Sequence, residues 1–392
     1  MPTKAEELRE AVKLAVEATL GVTDIVQQMH HTIGGGPAIL GRPLEAVVKL
    51  LSAPTYASVR FVTQLVGAGL DVVLSQLEPV LGPGGDSPEQ DFVVGALNGV
   101  VGDVLAARSS ALALATAFRR QSQPVPPVTS PVNGKLLVLV HGSAATDGCW
   151  LREGHHHGEA LERELGFTWV ALRYNSGRHV STVGREFARA LEQLVAEWPV
   201  PVESLTIVAH SMGGLVTRAA CLVAEAEQLR WRDRLRAIVF LGTPHEGAPL
   251  EQGGNLIEAL LGVSRYSAPL SKLGQLRSEG ITDLRFGLTR DEEWAGVDRF
   301  KLDHDPRAAI ALPRGVRCFA LAATTSKEPG AASGSDGLVP VESALGRHRR
   351  QELTLDFEPS RQAIIPGVSH VELMNAPAVY AKVKEWLSDA GG

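Results

Sequence analysis

The 392-residue sequence predicts a mainly parallel α/β sheet with helices on both faces, preceded by an all-helical N-terminal region. Three observations predict it. A Pro-rich stretch, QSQPVPPVTSPVNGK (121–135), can neither continue a helix nor sit in a central strand, so it divides the chain. After it, short apolar runs of strand length alternate with amphipathic stretches of helix length. Before it, the pattern is helical and poor in aromatics. The expected division is a helical region over 1–120, a linker over 121–135 and an α/β domain over 136–392.

In chain order, MPTKAEELREAVKLAVEATLG opens as an amphipathic helix. Leu8, Val12, Ala15, Val16 and Leu20 recur at helical spacing, and acidic residues stand where an export signal needs a basic flank. HHTIGGGPAILGRP (30–43) breaks that pattern; its glycines follow no strand and precede no phosphate-loop lysine. FVVGALNGVVGDVLAARSSALALATAF (92–118) is the most apolar run, with Gly95, Gly99 and Gly102 small enough for close helix packing. It leaves three readings: a membrane span, a helix packed on itself or on the second domain, and a helix lying on a lipid surface. Asp103 and Arg108 weigh against the span, because each is costly at bilayer depth.

Beyond the linker, KLLVLV (135–140), FTWVALRY (167–174), LTIVA (205–209), LRAIVFLG (235–242), VRCFALAAT (316–324) and AIIPG (363–367) read as strands. Helices are expected around 157–165, over 182–198 with Val183, Phe187, Leu191 and Leu194 on one face, and at the end over NAPAVYAKVKEWLSDA. In that last helix Asn375 is the expected cap, Pro377 fits the first turn, and Val379, Val383 and Leu387 form the buried face.

Composition narrows the function classes. An apolar content of 44% suits a soluble globular chain, and a net charge of -6 argues against a general nucleic-acid binder. Cys149, Cys221 and Cys318 are widely spaced and odd in number, so neither a disulfide framework nor a zinc ribbon is expected; buried free thiols in a reducing, cytoplasmic setting are.

TIVAHSMGGLV (206–216) carries the chemistry. A strand-like run meets His210, Ser211 and two glycines, and an apolar helical pattern then begins. A nucleophilic serine must project from its backbone with room for a carbonyl on one side and a base on the other. A sharp strand-to-helix turn does this and requires small neighbours two residues away, here Ala209 and Gly213. The turn also sets the N–H of Met212 at a helix N-terminus, where negative charge is favoured. A second oxyanion donor is expected from the loop after an earlier strand. In LLVLVHGSAATDGCW that is the N–H of Ser143, with Ala144 as its neighbour and His141 a structural hydrogen bonder.

A hydroxyl needs a base. Of twelve histidines, His370 in PGVSHVELMNAP sits in a loop before the final helix and is the expected base. His155, His156 and His157 read as solvated and His304 as part of a charged, irregular stretch. The acid should lie between serine and histidine in chain order, which favours Asp336 in ASGSDGLVPVESA over Asp303, Asp305 and Glu372.

The motifs VLVHG (138–142), AHSMGG (209–214), LGTPHEGAP (241–249), SDGLVP (335–340) and GVSH (367–370) together resemble the α/β-hydrolase superfamily, and within it bacterial lipases and GPI-inositol-deacylase-like lipases. The resemblance spans 136–390 and leaves the first 120 residues uncovered. It implies the α/β-hydrolase fold, Ser211 as nucleophile, Asp336 as acid, His370 as base and the N–H groups of Ser143 and Met212 as oxyanion hole. It also implies a cap over about 245–312 that shapes an acyl pocket, with Leu256, Leu260, Leu261 and Val263 as apolar anchors. The expected activity is ester hydrolysis without metal or organic cofactor, on an ester or lipid substrate. The N-terminal helices are candidates for peripheral contact with a membrane. A thioesterase, amidase or acyltransferase with the same three residues is one alternative. A catalytically silent fold that docks on a membrane or partner is the other.

Overall fold

A computed structural model describes residues 88–121, 123–125, 132–248, 278–297, 305–328 and 334–388. The expected helix of the first twenty residues, the glycine break at 30–43, the cap anchors Leu256 to Val263, Asp303 and His304 lie outside the described residues. In chain order the elements are α1 (Pro88–Ala107), β1 (Ala117–Arg120), β2 (Gln123–Val125), β3 (Lys135–Val140), α2 (His157–Leu165), β4 (Thr168–Arg173), α3 (Val180–Glu197), β5 (Ser204–His210) and α4 (Met212–Glu227). They continue with β6 (Leu235–Leu241), α5 (Glu279–Asp283), β7 (Arg317–Thr324), α6 (Val341–Ala344), β8 (Gln362–Pro366) and α7 (Pro377–Ser388).

The strands form one sheet in the order β2-β1-β4-β3-β5-β6-β7-β8. From β4 across to β8 every neighbouring pair is parallel. This is the α/β-hydrolase class of fold that the sequence implies. Parallel strands need crossover helices, which cover both faces, so the strands themselves must be apolar on both sides. Alternate residues of β3 accordingly part company: Leu136, Val138 and Val140 join one core with α1, α3 and α4. Leu137 and Leu139 join the other, with Leu161 of α2 and Val379 and Val383 of α7.

Chain order and strand order disagree at β2-β1 and again at β4-β3, and the second reversal matters for the site. The chain leaves β3, forms β4 on one side, then crosses back to form β5 on the other side of β3. The connections after β3 and β5 therefore leave the sheet side by side at its carboxyl edge, the place where open α/β sheets bind ligands. The register puts Val140 opposite Ala209 and His210 opposite Leu241, so these strands end level with one another.

Four differences from the sequence reading have physical reasons. The apolar run 92–118 is not one helix: α1 ends at Ala107, and Ala117–Arg120 turns back as β1, antiparallel to β4. The expected linker begins inside the sheet, because Gln123–Val125 pairs with β1 as its outermost strand. Pro124 is tolerated there because β2 is the outermost strand, and an edge is where a sheet accepts a proline. Asn375 does not cap the last helix, which starts at Pro377; its amide donates instead to Glu153 Oε2 at 3.0 Å. His156 and His157 are buried rather than solvated, His157 completely, with its Nε2 bonded at 3.1 Å to the carbonyl of Leu373.

The apolar face of α1, with Val93, Val94, Leu97, Val100, Val101 and Leu105, is buried in the sheet's own core. Of the three readings for that run, packing on the second domain is therefore the one observed. No helix among the described residues is long and apolar enough to cross a membrane. The three cysteines are buried free thiols, as expected.

Candidate active site

Ser211 occupies the single residue between β5 and α4. Its backbone has φ 54° and ψ −129°, a left-handed conformation for a residue with a side chain. Such a conformation costs on the order of 1–3 kcal/mol and persists only when its surroundings fix it. They do: the N–H of Ser211 donates to Leu241 O at 2.8 Å and its carbonyl accepts from Gly214 N at 3.0 Å. A serine at a helix start ordinarily turns its hydroxyl onto the first backbone amides. Here it makes no such cap, so Oγ is not consumed by the helix. Met212, buried completely, is the first residue of α4, and its N–H has no acceptor within the helix.

Gly142, just after β3, lies against this serine. A Cβ there would stand 2.9 Å from Ser211 Cβ and 3.1 Å from His210 Nδ1. Any side chain at 142 would fill the space beside the hydroxyl. The next residue, Ser143, is buried, and its backbone N–H has no hydrogen-bond acceptor among the described residues. The N–H of Ala144, the neighbour considered from sequence, is already spent on Ser176 Oγ at 3.0 Å. His141 is the structural histidine that the sequence suggested. Its ring stacks on Tyr174 with centroids 4.1 Å apart, its Nδ1 bonds to Gly142 O, and burial drives its pKa down to about 3.

Asp336 and His370 meet at the same edge. His370 Nδ1 lies 2.7 Å from Asp336 Oδ2, and the His370 N–H donates to the Asp336 carbonyl at 2.8 Å. Asp336 Oδ1 accepts from the N–H groups of Leu338 and Val339 at 2.9 and 2.8 Å. An Asx turn and a histidine contact thus divide the two oxygens of one carboxylate. Both groups are buried, at 2% exposure each, and His370 Nε2 has no partner among the described residues. A carboxylate facing Nδ1 selects the tautomer protonated there and leaves the lone pair on Nε2.

Two contacts tie this pair to the serine turn. His210 Nε2 bonds to the His370 carbonyl at 2.9 Å, with the two rings 4.7 Å apart. Gly242 follows Leu241, the residue that accepts the Ser211 N–H; a Cβ at 242 would stand 3.1 Å from Asp336 Oδ2 and 3.3 Å from His370 Nδ1. The residues singled out from sequence (Ser211, Asp336, His370, Ser143 and Met212) therefore gather around β3, β5 and β6. Among the rival acids, Glu372 accepts from Ser369, and Asp305 pairs with Arg307 and lies 3.7 Å from His348 Nε2; the carboxylate that faces His370 is that of Asp336.

Residues 112–272 match a family described as a domain of unknown function, DUF7379. No curated protein matches the chain. Similar solved structures include a lipase from Bacillus licheniformis in its mature form, 17% identical over 70% of this chain and 98% of that one, with a TM-score of 0.43. An esterase from Thermogutta terrifontis is 17% identical over 71% of this chain and 94% of that one, TM-score 0.36. A phospholipase from Legionella pneumophila is 15% identical over 65% and 63%, TM-score 0.38.

A second buried histidine–carboxylate pair escaped the sequence reading. His179 Nδ1 lies 3.0 Å from Asp283 Oδ1, and Val180 N donates to Asp283 Oδ2 at 2.8 Å. The ring stacks on Trp294 at 3.7 Å, and its other nitrogen faces Glu279 Oε1 at 3.8 Å. Both nitrogens face carboxylates, so this histidine fastens the segment between β6 and β7 to the start of α3 instead of holding a lone pair ready. Its partner lies 104 residues away, and no local motif marks either residue. Beyond the Asp336 loop a cleft of about 680 Å³ is lined by Gly247, Ala248, Pro340 and Ser343 and by five arginines, among them Arg285, Arg307 and Arg349. No group of metal-ligating side chains occurs among the described residues.

Proposed function

We propose that the protein is a serine carboxylic-ester hydrolase acting through an acyl-enzyme. The observation that carries this reading is the buried imidazole of His370. It is oriented by Asp336 at 2.7 Å, keeps an unbonded Nε2, and is tied through His210 and Gly242 to the turn that carries Ser211.

In the proposed reaction Ser211 Oγ attacks the ester carbonyl while His370 Nε2 takes its proton. Asp336 holds the ring and stabilises the imidazolium that forms. The N–H groups of Met212 and Ser143 receive the developing oxyanion, each contributing on the order of 10²–10³ in rate. His370 then returns the proton to the leaving alcohol. Water, deprotonated by the same nitrogen, attacks the acyl-enzyme and releases the acid with Ser211 restored.

The test is a panel of p-nitrophenyl esters from two to sixteen carbons, run on the wild type and Ser211→Ala, with fluorophosphonate labelling alongside. Expected are turnover and covalent labelling in the wild type and loss of both in the variant. Turnover that survives in Ser211→Ala, or a wild type that neither turns over esters nor takes the label, would refute the proposal.

A further inference from the structure

The loop that follows β3 is not self-supporting. Ala144 sits at φ 56°, a left-handed conformation that an alanine seldom adopts unless it is held. On one side its N–H is anchored to Ser176 Oγ. On the other side stands α1. A Cβ on Gly99 would lie 2.6 Å from both the Cα and the Cβ of Ala144, and one on Gly95 would lie 2.9 Å from the Ala145 carbonyl carbon. Helix backbone and loop backbone are thus in direct contact, with no side chain between them.

A polar clasp adds to this contact. Thr146 Oγ1 donates to Asp91 Oδ2, and Arg173 at the end of β4 bonds to the other oxygen of Asp91. Thr146 Oγ1 also accepts from Gly148 N, so the same hydroxyl that α1 holds starts the short helical turn at Asp147–Trp150. The helix is itself fixed from behind. Asn98 bonds to Leu112 O at 2.8 Å and to Leu114 N at 2.9 Å; Ser278 Oγ donates to Gly99 O at 2.6 Å; Asn175 donates to Gly102 O at 2.8 Å. Ser278 opens α5, so α1 lies between the loop after β3 and the segment joining β6 to β7.

We propose that α1 sets the position of the Ser143 N–H, with Gly99 and Asp91 as its positioning residues. Helix α1 thereby belongs to the catalytic frame and not to a separate docking module. This rests on the proposed role of Ser143 as an oxyanion donor. A donor aimed at a transition-state oxygen loses its value when it shifts by a fraction of an ångström, whereas ground-state binding hardly notices. Gly99→Ala pushes the helix and the loop apart at the residue beside Ser143.

The experiment uses the full-length chain and compares the wild type, Gly99→Ala, Asp91→Asn and Leu105→Ala. Leu105 is buried in the same helix further toward its C-terminus, so its truncation loosens packing away from the loop. Measured are kcat and KM for p-nitrophenyl acetate, the dissociation constant of an alkyl trifluoromethyl ketone, Tm, and hydrogen exchange of the amides at 142–147. A trifluoromethyl ketone forms a tetrahedral adduct with the serine, so its affinity reads the oxyanion site directly. For Gly99→Ala, kcat should fall about 10- to 100-fold with KM within about twofold, inhibitor affinity falling in parallel. Exchange across 142–147 should rise at least about tenfold. Asp91→Asn, which keeps the side chain's size, should move all three readouts the same way if Gly99→Ala does not fold. Loop exchange unchanged from the wild type would overturn the positioning role whatever chemistry the site performs. So would Leu105→Ala losing as much kcat and inhibitor affinity at an equal loss of Tm. Ester turnover that persists without Ser211 would instead overturn the hydrolase reading.

Discussion

At the scale of single residues, the division of labour within Asp336 is the most exacting feature of the site. One oxygen closes the turn 336–339 and the other faces His370 Nδ1. Asp336→Asn keeps an acceptor for the turn but offers His370 an amide. A ring facing N–H₂ turns to the tautomer with its lone pair on Nδ1, leaving no acceptor at Nε2. Under the proposed mechanism kcat should fall about 10⁴-fold with Tm little changed, the size such a tautomer reversal has elsewhere. A loss of less than tenfold on p-nitrophenyl butyrate would assign the carboxylate to the turn alone. The serine turn, the late histidine and the acid between them in chain order were all legible in the sequence. Each sits in a local motif whose residues are dictated by backbone geometry: small neighbours at Ala209 and Gly213, a Ser-Asp-Gly turn at 335–337. His179 and Asp283 were not legible, because their pairing depends on which distant segment the fold brings over α3.

At the scale of elements, α1 is what the sequence left most open. Its composition is compatible with a span, a surface helix or a packed one, since all three need the same apolar stripe. Its partner decides between them, and that partner is the core shared with α3, α4 and one face of the sheet. Leu97 is completely buried there. Leu97→Ala should therefore destabilise the whole α/β unit by about 2–5 kcal/mol in urea unfolding, as truncation of a buried leucine does. A helix that folded apart from the sheet would leave the main transition of this variant unmoved, and that result would exclude the packing described. Strand β2 makes the complementary point. Proline density at 121–135 reads as a linker because proline disrupts sheets, yet a sheet accepts a proline at its edge, and Gln123–Val125 takes that place.

At the scale of the whole molecule, the buried histidines govern the response to acid. Burial holds His141 and His157 at about 3 and His156 at about 4, and pushes His210 and His245 well below the ordinary range. In the unfolded chain each takes up a proton below about pH 6.5. Their contribution to stability is therefore present above pH 6.5 and lost as pH falls toward the folded values. Each contributes a slope of about 1.4 kcal/mol per pH unit in that window. Glu246 works in the opposite sense. Burial raises it to about 7, so its contribution is full below its unfolded value and disappears as pH rises through 7. Burial raises Asp147 and Asp283 in the same sense as Glu246, but the lowered histidines, His155 included, outnumber these three carboxylates, so Tm should fall between pH 6.5 and 4. His157→Gln should make that fall shallower by one proton's worth, and an unchanged slope would show that His157 is not neutral in the folded state. The topology is the other property of this scale. The side-by-side exit of the loops after β3 and β5 is what lets two connections 69 residues apart, at Gly142 and Ser211, touch.

What the sequence determined by itself was the local menu: which runs are strands buried on both faces, where a serine must stand at a strained corner, and which carboxylate and imidazole follow it in chain order. Those are short-range consequences of apolar periodicity, turn chemistry and backbone sterics. What only the tertiary structure decided was which surfaces cover which: that α1 lies on the loop of Ser143, that His156 and His157 are dry, that Asn375 turns away from its helix, and that His179 is fastened by Asp283. Burial and pairing are set by whatever the rest of the chain places opposite a residue, and that information is distributed over the whole sequence rather than written beside the residue.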